Sequence, residues 1–292
     1  MKPLNVAIAG CGPCGLAAGL LLRRQGHRVT IFERFGQPGP VGSGLMLQPT
    51  GLAVLDALGL AEGACARGSR ITRLYGLADS GRLALSVRYP GQRFGIGIHR
   101  ASLFDLLHGA AVAAGIAIET GRIVTASAPM PGGRGLSFVE AETAGPFDLV
   151  VDTLGARSPL AGPPARPLAY GALWTNVLAV PGFAPDTLEQ RYRGALVMAG
   201  VLPVGTPPGA DGPQFALFWS LRADRLADWR AAGLDEWRDA FCALWPECAP
   251  LLDSITDPAQ LTFAHYAHRT LANPVADRMI HLGDAWHSTS PH

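Results

Sequence analysis

A chain of 292 residues, 48% of them hydrophobic, carries enough apolar side chain for one large globular domain or two ordinary ones. A formal charge of +1 leaves no basic excess for a nucleic-acid partner, and the composition is not that of a disordered chain. Lys2 is the only lysine, and at the terminus it is a poor candidate for a Schiff-base amine or for the lysine of a Walker-type phosphate loop.

Five scattered cysteines, an odd number, argue against a disulfide framework. The N-terminal apolar run breaks at Gly10 and does not read as a signal peptide. The longest apolar stretch, 106–118, carries His108 and two glycines and is too short and too polar for a bilayer span. The chain is therefore expected to be cytoplasmic, with no membrane partner.

In chain order, Val6 to Ala9 reads as a short buried strand. Gly10, Gly12 and Gly15 follow in the spacing G-x-G-x-x-G, and Leu16 to Gln25 is a helical stretch rich in Ala and Leu. Gly26 ends that helix, His27 to Phe32 reads as a second strand, and Glu33 lies 18 residues after Gly15. Strand, glycine turn, helix, strand and acidic residue together form a dinucleotide-binding fingerprint. The first glycine makes the turn, the second admits the pyrophosphate, and the third packs helix on strand. The helix N-terminus offers amide groups and a positive dipole end, and Glu33 can accept from both ribose hydroxyls. Within this turn Cys11 and Cys14 form a Cys-x-x-Cys. They fit as small side chains, although a thiol at a helix N-terminus can also become reactive. With no second pair nearby, zinc is not expected.

Residues 41–50 form a glycine-punctuated loop, and Pro49 or Thr50 opens a helix with Leu52, Leu55 and Leu58 on one face. Residues 71–89 read as strands with a turn at Asp79-Ser80-Gly81. A helix over 101–114 begins beside Arg100, an unusual place for a cation on dipole grounds. Arg100 is either a surface arginine or a contact for an anion. Residues 147–151 are an apolar run, and 159–168, rich in Pro, Ala and Gly, read as a linker. Residues 173–180, 195–204 and 215–221 read as strands, 222–252 as helical with Trp229, Trp237, Phe241 and Trp245 in the core, and 278–282 as a last strand.

Four segments, GCGPCGLAAGLLLRRQGHRVTIFER, GSGLMLQPTGLAVLDALGL, IHRASLFDLL and HLGDAWHSTSP, stand in an order that resembles the FAD-dependent aromatic hydroxylases, the para-hydroxybenzoate hydroxylase-like flavoprotein monooxygenases. The resemblance implies an α/β fold: a Rossmann-like FAD-binding domain of the glutathione reductase type, and a second, substrate domain on a mainly antiparallel sheet. It divides the chain into 1–70 plus 97–165 plus 265–292 for FAD, and 71–96 plus 166–264 for substrate. It implies that Gly10, Gly12, Pro13, Cys14 and Gly15 hold the FAD pyrophosphate, with Glu33 and Arg34 at the adenosine. Gly44 and Leu45 would lie by the isoalloxazine, Arg100 and the Gly283-Asp284 pair by the ribityl–phosphate part, and Pro291 by the ring. His99 and His287 lie near these motifs and read as structural residues.

The implied activity is hydroxylation of an aromatic or polyketide-like small molecule, in a monomer or homodimer. NAD(P)H reduces the flavin, and the reduced flavin traps O2 as a C4a-hydroperoxide that attacks the substrate, held against the sheet of 170–221. The alternatives are a flavin-dependent dehydrogenase or reductase, and a non-catalytic small-molecule-binding protein. Two departures stand out. Leu154-Gly155 replaces the family's Asp-Gly pair, which bears on nicotinamide contacts, and Asp152 lies too early to substitute. The sequence stops just after Ser290-Pro291, where relatives continue with a helix, so a further tail is expected.

Overall fold

The computed structural model describes residues 2–39 and 42–290. The chain divides into two compact units, Met1–Pro40 with Phe104–Pro167 and Tyr266–His292, and Val41–Leu103 with Leu168–His265.

The first unit is built on a six-stranded sheet in the order Val275–Ala276, Met279–His281, Leu149–Asp152, Asn5–Ala9, Arg28–Phe32, Ala117–Glu119. The last five run parallel, and only Val275–Ala276 is antiparallel to its neighbour. Asn5–Ala9 has buried side chains on both faces, as a central parallel strand requires. On one face lies the helix Pro13–Arg24, and Gly19 brings it down onto Ile8 and Ile31, since a Cβ there would meet both at 3.3 Å. On the other face lies a meander of Val124–Met130, Gly133–Phe138 and Thr143–Phe147. Its Val124, Leu136, Phe138 and Phe147 bury against Ala7, Ala9, Phe32 and Val150.

The second unit is built on Arg166–Leu178, Gln214–Arg222, Val197–Pro203, Thr187–Arg193, Arg73–Ala78 and Leu83–Arg88, in that order across the sheet. All neighbours are antiparallel except Thr187–Arg193 with Arg73–Ala78. One face carries Leu173, Val177, Ala199, Val201, Leu217 and Trp219 in one core with Trp237, Phe241, Leu244 and Trp245. The opposite face carries Trp174, Leu188, Leu202 and Ala216. A small sheet of Gly44–Leu47, Gly95–His99 and Ser69–Ile71 lies at its end. Gly44 fits there for lack of a Cβ, which would meet Val204 Cγ1 at 2.5 Å and Ala216 Cβ at 2.6 Å. That packing gathers residues 41–70 and 97–103 into the second unit, where the sequence reading assigned them to the FAD domain.

Three elements depart from the sequence reading. The stretch 222–252 is not one helix but Leu226–Ala232, Leu234–Leu244 and Ala249–Leu252. Gly233 breaks it at φ 85°, a conformation open to glycine, and Pro246 breaks it again. The strand Arg166–Leu178 begins inside the expected linker. Phe147 ends one strand while Leu149–Asp152 forms another, so the apolar run 147–151 serves two sheets.

Candidate functional site

The parallel strands of the first unit all point their C-terminal ends to one edge, and the cofactor motif lies there. Gly10 follows the first strand at φ 107°. A Cβ on Gly10 would lie 2.8 Å from the Thr153 carbonyl oxygen, and one on Gly15 would overlap the Gly10 carbonyl oxygen and meet Thr153 Oγ1 at 2.7 Å. At Gly12 a Cβ would meet nothing within 4 Å. Two glycines are therefore needed for packing within the chain, while the third keeps open space over the turn. Gly12 is the N-cap of the helix, no side chain caps that end, and Pro13 begins it. The amides of the first helical turn are left to bind something else.

Glu33 is buried, its Oε2 accepting from the Cys11 amide at 2.8 Å and its Oε1 from the Phe35 amide at 3.1 Å. A carboxylate has about four acceptor sites, so capacity remains for two hydroxyls. Arg34 is exposed and its guanidinium stacks 4.5 Å above the Phe35 ring. Gly283, at φ 58°, abuts Cys14: a Cβ on it would meet Cys14 Sγ at 3.1 Å. The exposed Asp284 carboxylate follows. Gly10, Gly12, Pro13, Cys14, Gly15, Glu33, Gly283 and Asp284 are thus brought to one edge.

The thiols are not activated. Burial, then the Glu33 carboxylate, pushes Cys11 up to about 12. Burial, then Asp284 and Asp152, pushes Cys14 up to about 11. Desolvation and negative neighbours outweigh the helix terminus, so the pair serves as small side chains.

Sequence reasoning missed the support beneath this edge. Thr153 Oγ1 donates toward the carbonyls of Ala9 at 2.8 Å and Gly10 at 3.0 Å, clamping the turn. Asp152 is fully buried and its carboxylate is committed internally. Oδ2 bonds Ser158 Oγ at 2.6 Å and His281 Nδ1 at 2.7 Å, and Oδ1 accepts from the Leu154 amide at 3.0 Å. An aspartate at the end of a central strand signals a buried acceptor, but its ionisable partner, His281, lies over a hundred residues away. Leu154 packs against the apolar cluster of the first unit, a contact an aspartate could not make.

In the second unit Gly44 and Leu45 lie on a strand that pairs with Gly95–His99. Arg100 opens the helix Arg100–Ala113, its amide donating to the Ser43 carbonyl at 3.1 Å. Its guanidinium has no bonded or ionic partner among the described residues. A Cβ on Gly42 would meet its Cδ at 3.0 Å. His99 Nδ1 accepts from the Ala101 amide at 3.1 Å, and its Nε2 lies 3.1 Å from the Asn176 side-chain amide. With Nδ1 accepting, Nε2 carries the proton, so the Asn176 oxygen must face it. Burial, then Arg100, lowers the His99 pKa. His287 Nδ1 bonds Thr270 Oγ1 at 2.7 Å, a structural role of the kind expected. Pro291 lies outside the described residues.

A family model described as an FAD binding domain matches residues 3–127. The chain is 41% identical over 85 residues to 6-methylpretetramide 4-monooxygenase of Streptomyces rimosus, a match covering 29% of this chain and 20% of that protein. It is 26% identical over 319 residues to 3-amino-4-hydroxybenzoate 2-monooxygenase of Streptomyces cremeus, covering 100% of this chain and 74% of that protein. The solved structure of PqsL, a probable FAD-dependent monooxygenase from Pseudomonas aeruginosa, superposes with TM-score 0.83 at 21% identity over 99% of this chain and 80% of that one. The chain thus contains a match to an FAD binding domain and is similar to FAD-dependent aromatic-hydroxylase-type monooxygenases. FAD is the cofactor that the matched domain binds, and the residues present fit it: an open Gly12 over an uncapped helix end, with an acidic acceptor after the second strand. As the sequence predicts, the chain has a Rossmann-like FAD unit and a second unit on a mainly antiparallel sheet. Among the described residues no helix is long and apolar enough to cross a membrane, and no His, Cys, Asp and Glu cluster has the makings of a metal site.

Proposed function

We infer that the chain is an FAD-dependent monooxygenase that hydroxylates an aromatic or polyketide-like small molecule with NAD(P)H and O2 as co-substrates. The observation that carries this reading is the open turn at Gly12, where a Cβ would meet nothing within 4 Å among the described residues. The relatives' named activities on a pretetramide and a hydroxybenzoate support the aromatic substrate.

Bound FAD supplies the hydride acceptance and oxygen activation that no side chain can. The chain's share is binding and order. Gly10, Gly12, Pro13, Cys14 and Gly15 would cradle the pyrophosphate on the helix end, and Glu33 would take the ribose hydroxyls, with Arg34 beside it. Arg100, a cation with no ionic partner among the described residues, would meet a phosphate, and Asp284 would accept from the ribityl chain. Gly44 and Leu45 would present backbone to the ring. His99, held neutral, keeps a second positive charge away from Arg100's neighbourhood.

The test is oxygen uptake by the FAD-loaded protein with NADH or NADPH and a panel of phenols. The expected result is a product one oxygen heavier, its oxygen drawn from O2. Flavin turnover with no oxygen incorporated into any phenol would favour the dehydrogenase reading instead.

A further inference from the structure

The helix-free face of the second sheet has an ordered composition. Pairing registers place Trp174, Phe218, Gly200, Gln190 and Gly76 in one row across five strands. Ala172, Ser220, Met198, Tyr192 and Ala78 form the next row. The glycines make room for rings: a Cβ on Gly200 would overlap the Phe218 ring, and one on Gly76 would meet the Tyr192 ring at 2.5 Å. Trp174 lies against Phe218, ring centroids 4.9 Å apart. The aromatic rings therefore lie over the strands as a floor, and Trp174, Met198 and Tyr192 remain partly open.

Within these two rows no residue carries a charge. Arg73, Arg88, Glu189, Arg191 and Arg193 alternate onto the opposite face of their strands, the face registered with Ala199 and Val201. Arg222, at the last register position, is exposed and held by Asp224. His99, at the border, is the neutral imidazole bonded to Asn176. The polar element in the middle is Gln190, 7% exposed, whose Oε1 accepts from the Tyr192 hydroxyl at 3.0 Å. Among the described residues its amide nitrogen has the Met198 thioether, at 3.2 Å, a weak acceptor.

We propose that this face selects an uncharged aromatic substrate, with Gln190 as the specificity residue: its amide N–H donates to a hydroxyl or carbonyl oxygen of a ring lying on Trp174 and Phe218. The inference rests on the monooxygenase reading and adds the substrate's charge class. A carboxylate on this floor would be desolvated with no cation to meet it, whereas a phenol or quinone oxygen finds a donor. Stacking of the ring on the floor supplies the remaining affinity.

The test compares 2-naphthol with 6-hydroxy-2-naphthoate, one scaffold without and with a carboxylate, by equilibrium dialysis against the FAD-loaded protein. The naphthol is expected to bind about tenfold tighter or more. In Gln190→Arg, which places a cation on the floor, the order should reverse. If Gln190→Arg does not fold, Gln190→Leu is used, and naphthol binding should weaken without naphthoate gaining. Equal or tighter binding of the naphthoate by the unaltered protein would overturn the proposal, as would failure of both ligands to bind. If the protein takes up no FAD yet binds naphthol selectively through Gln190, the monooxygenase reading fails and the charge selectivity stands.

Discussion

Gly12 and Gly15 stand three residues apart in one turn, yet they answer to different parts of the molecule. Gly15 is required by the chain itself, because its Cβ would overlap the Gly10 carbonyl oxygen. Gly12 is required only by what lies outside the chain. Gly15→Ala should therefore destabilise the apoprotein by about 1–3 kcal/mol, as overpacking does. Gly12→Ala should cost the apoprotein no more than about 1 kcal/mol, the N-cap preference for glycine over alanine. It should still weaken FAD binding on the order of tenfold, because the pyrophosphate must approach that backbone. Thermal unfolding with and without FAD separates the two effects. Equal losses of apoprotein stability in both variants would contradict the division of roles. At this scale the glycines and Glu33 were legible because their geometry is local. The Thr153 clamp and the Asp152–His281 pair were not, because each joins segments distant in sequence.

The helix Arg100–Ala113 shows how one element can couple a cap, a cation and a proton. His99 supplies the acceptor for the Ala101 amide only while Nδ1 is unprotonated. Its pKa is lowered by burial and by Arg100 from an unfolded value of 6.5. Between the two values the folded chain binds fewer protons than the unfolded one. The stabilisation is thus complete above the unfolded value and is lost as pH falls through the folded one. Denaturant unfolding of the parent and of His99→Gln between pH 8 and pH 5 checks this. The parent should lose more stability than the variant as pH falls below 6.5, and parallel curves would refute the role. Elements with strong periodicity, such as Pro13–Arg24 and this helix, were readable in the sequence. Thr187–Arg193 was not, because TLEQRYR reads as polar chain although it lies inside a sheet. The meander of 124–147 escaped for a like reason, its two outer strands being largely exposed and its middle strand carrying Gly133 and Gly135.

At the scale of the whole molecule, two units divide the work. The first gathers its nucleotide motif at one sheet edge, and the second builds a sheet with helices on one face and an uncharged aromatic floor on the other. Architecture was legible because the order of motifs is itself information, spanning nearly the whole chain. Domain borders were less so: the strand Gly44–Leu47 follows the nucleotide motif in sequence but packs on Val204 and Ala216 far downstream, a contact no local pattern announces. The work of both units depends on the edge around Gly10 to Glu33 holding FAD. The most direct measurement is the visible absorption spectrum of the purified protein, with the chromophore released by acid and identified. The expected result is a flavin spectrum and FAD equimolar with the chain, either as purified or after addition. A colourless protein that takes up no added FAD would contradict it.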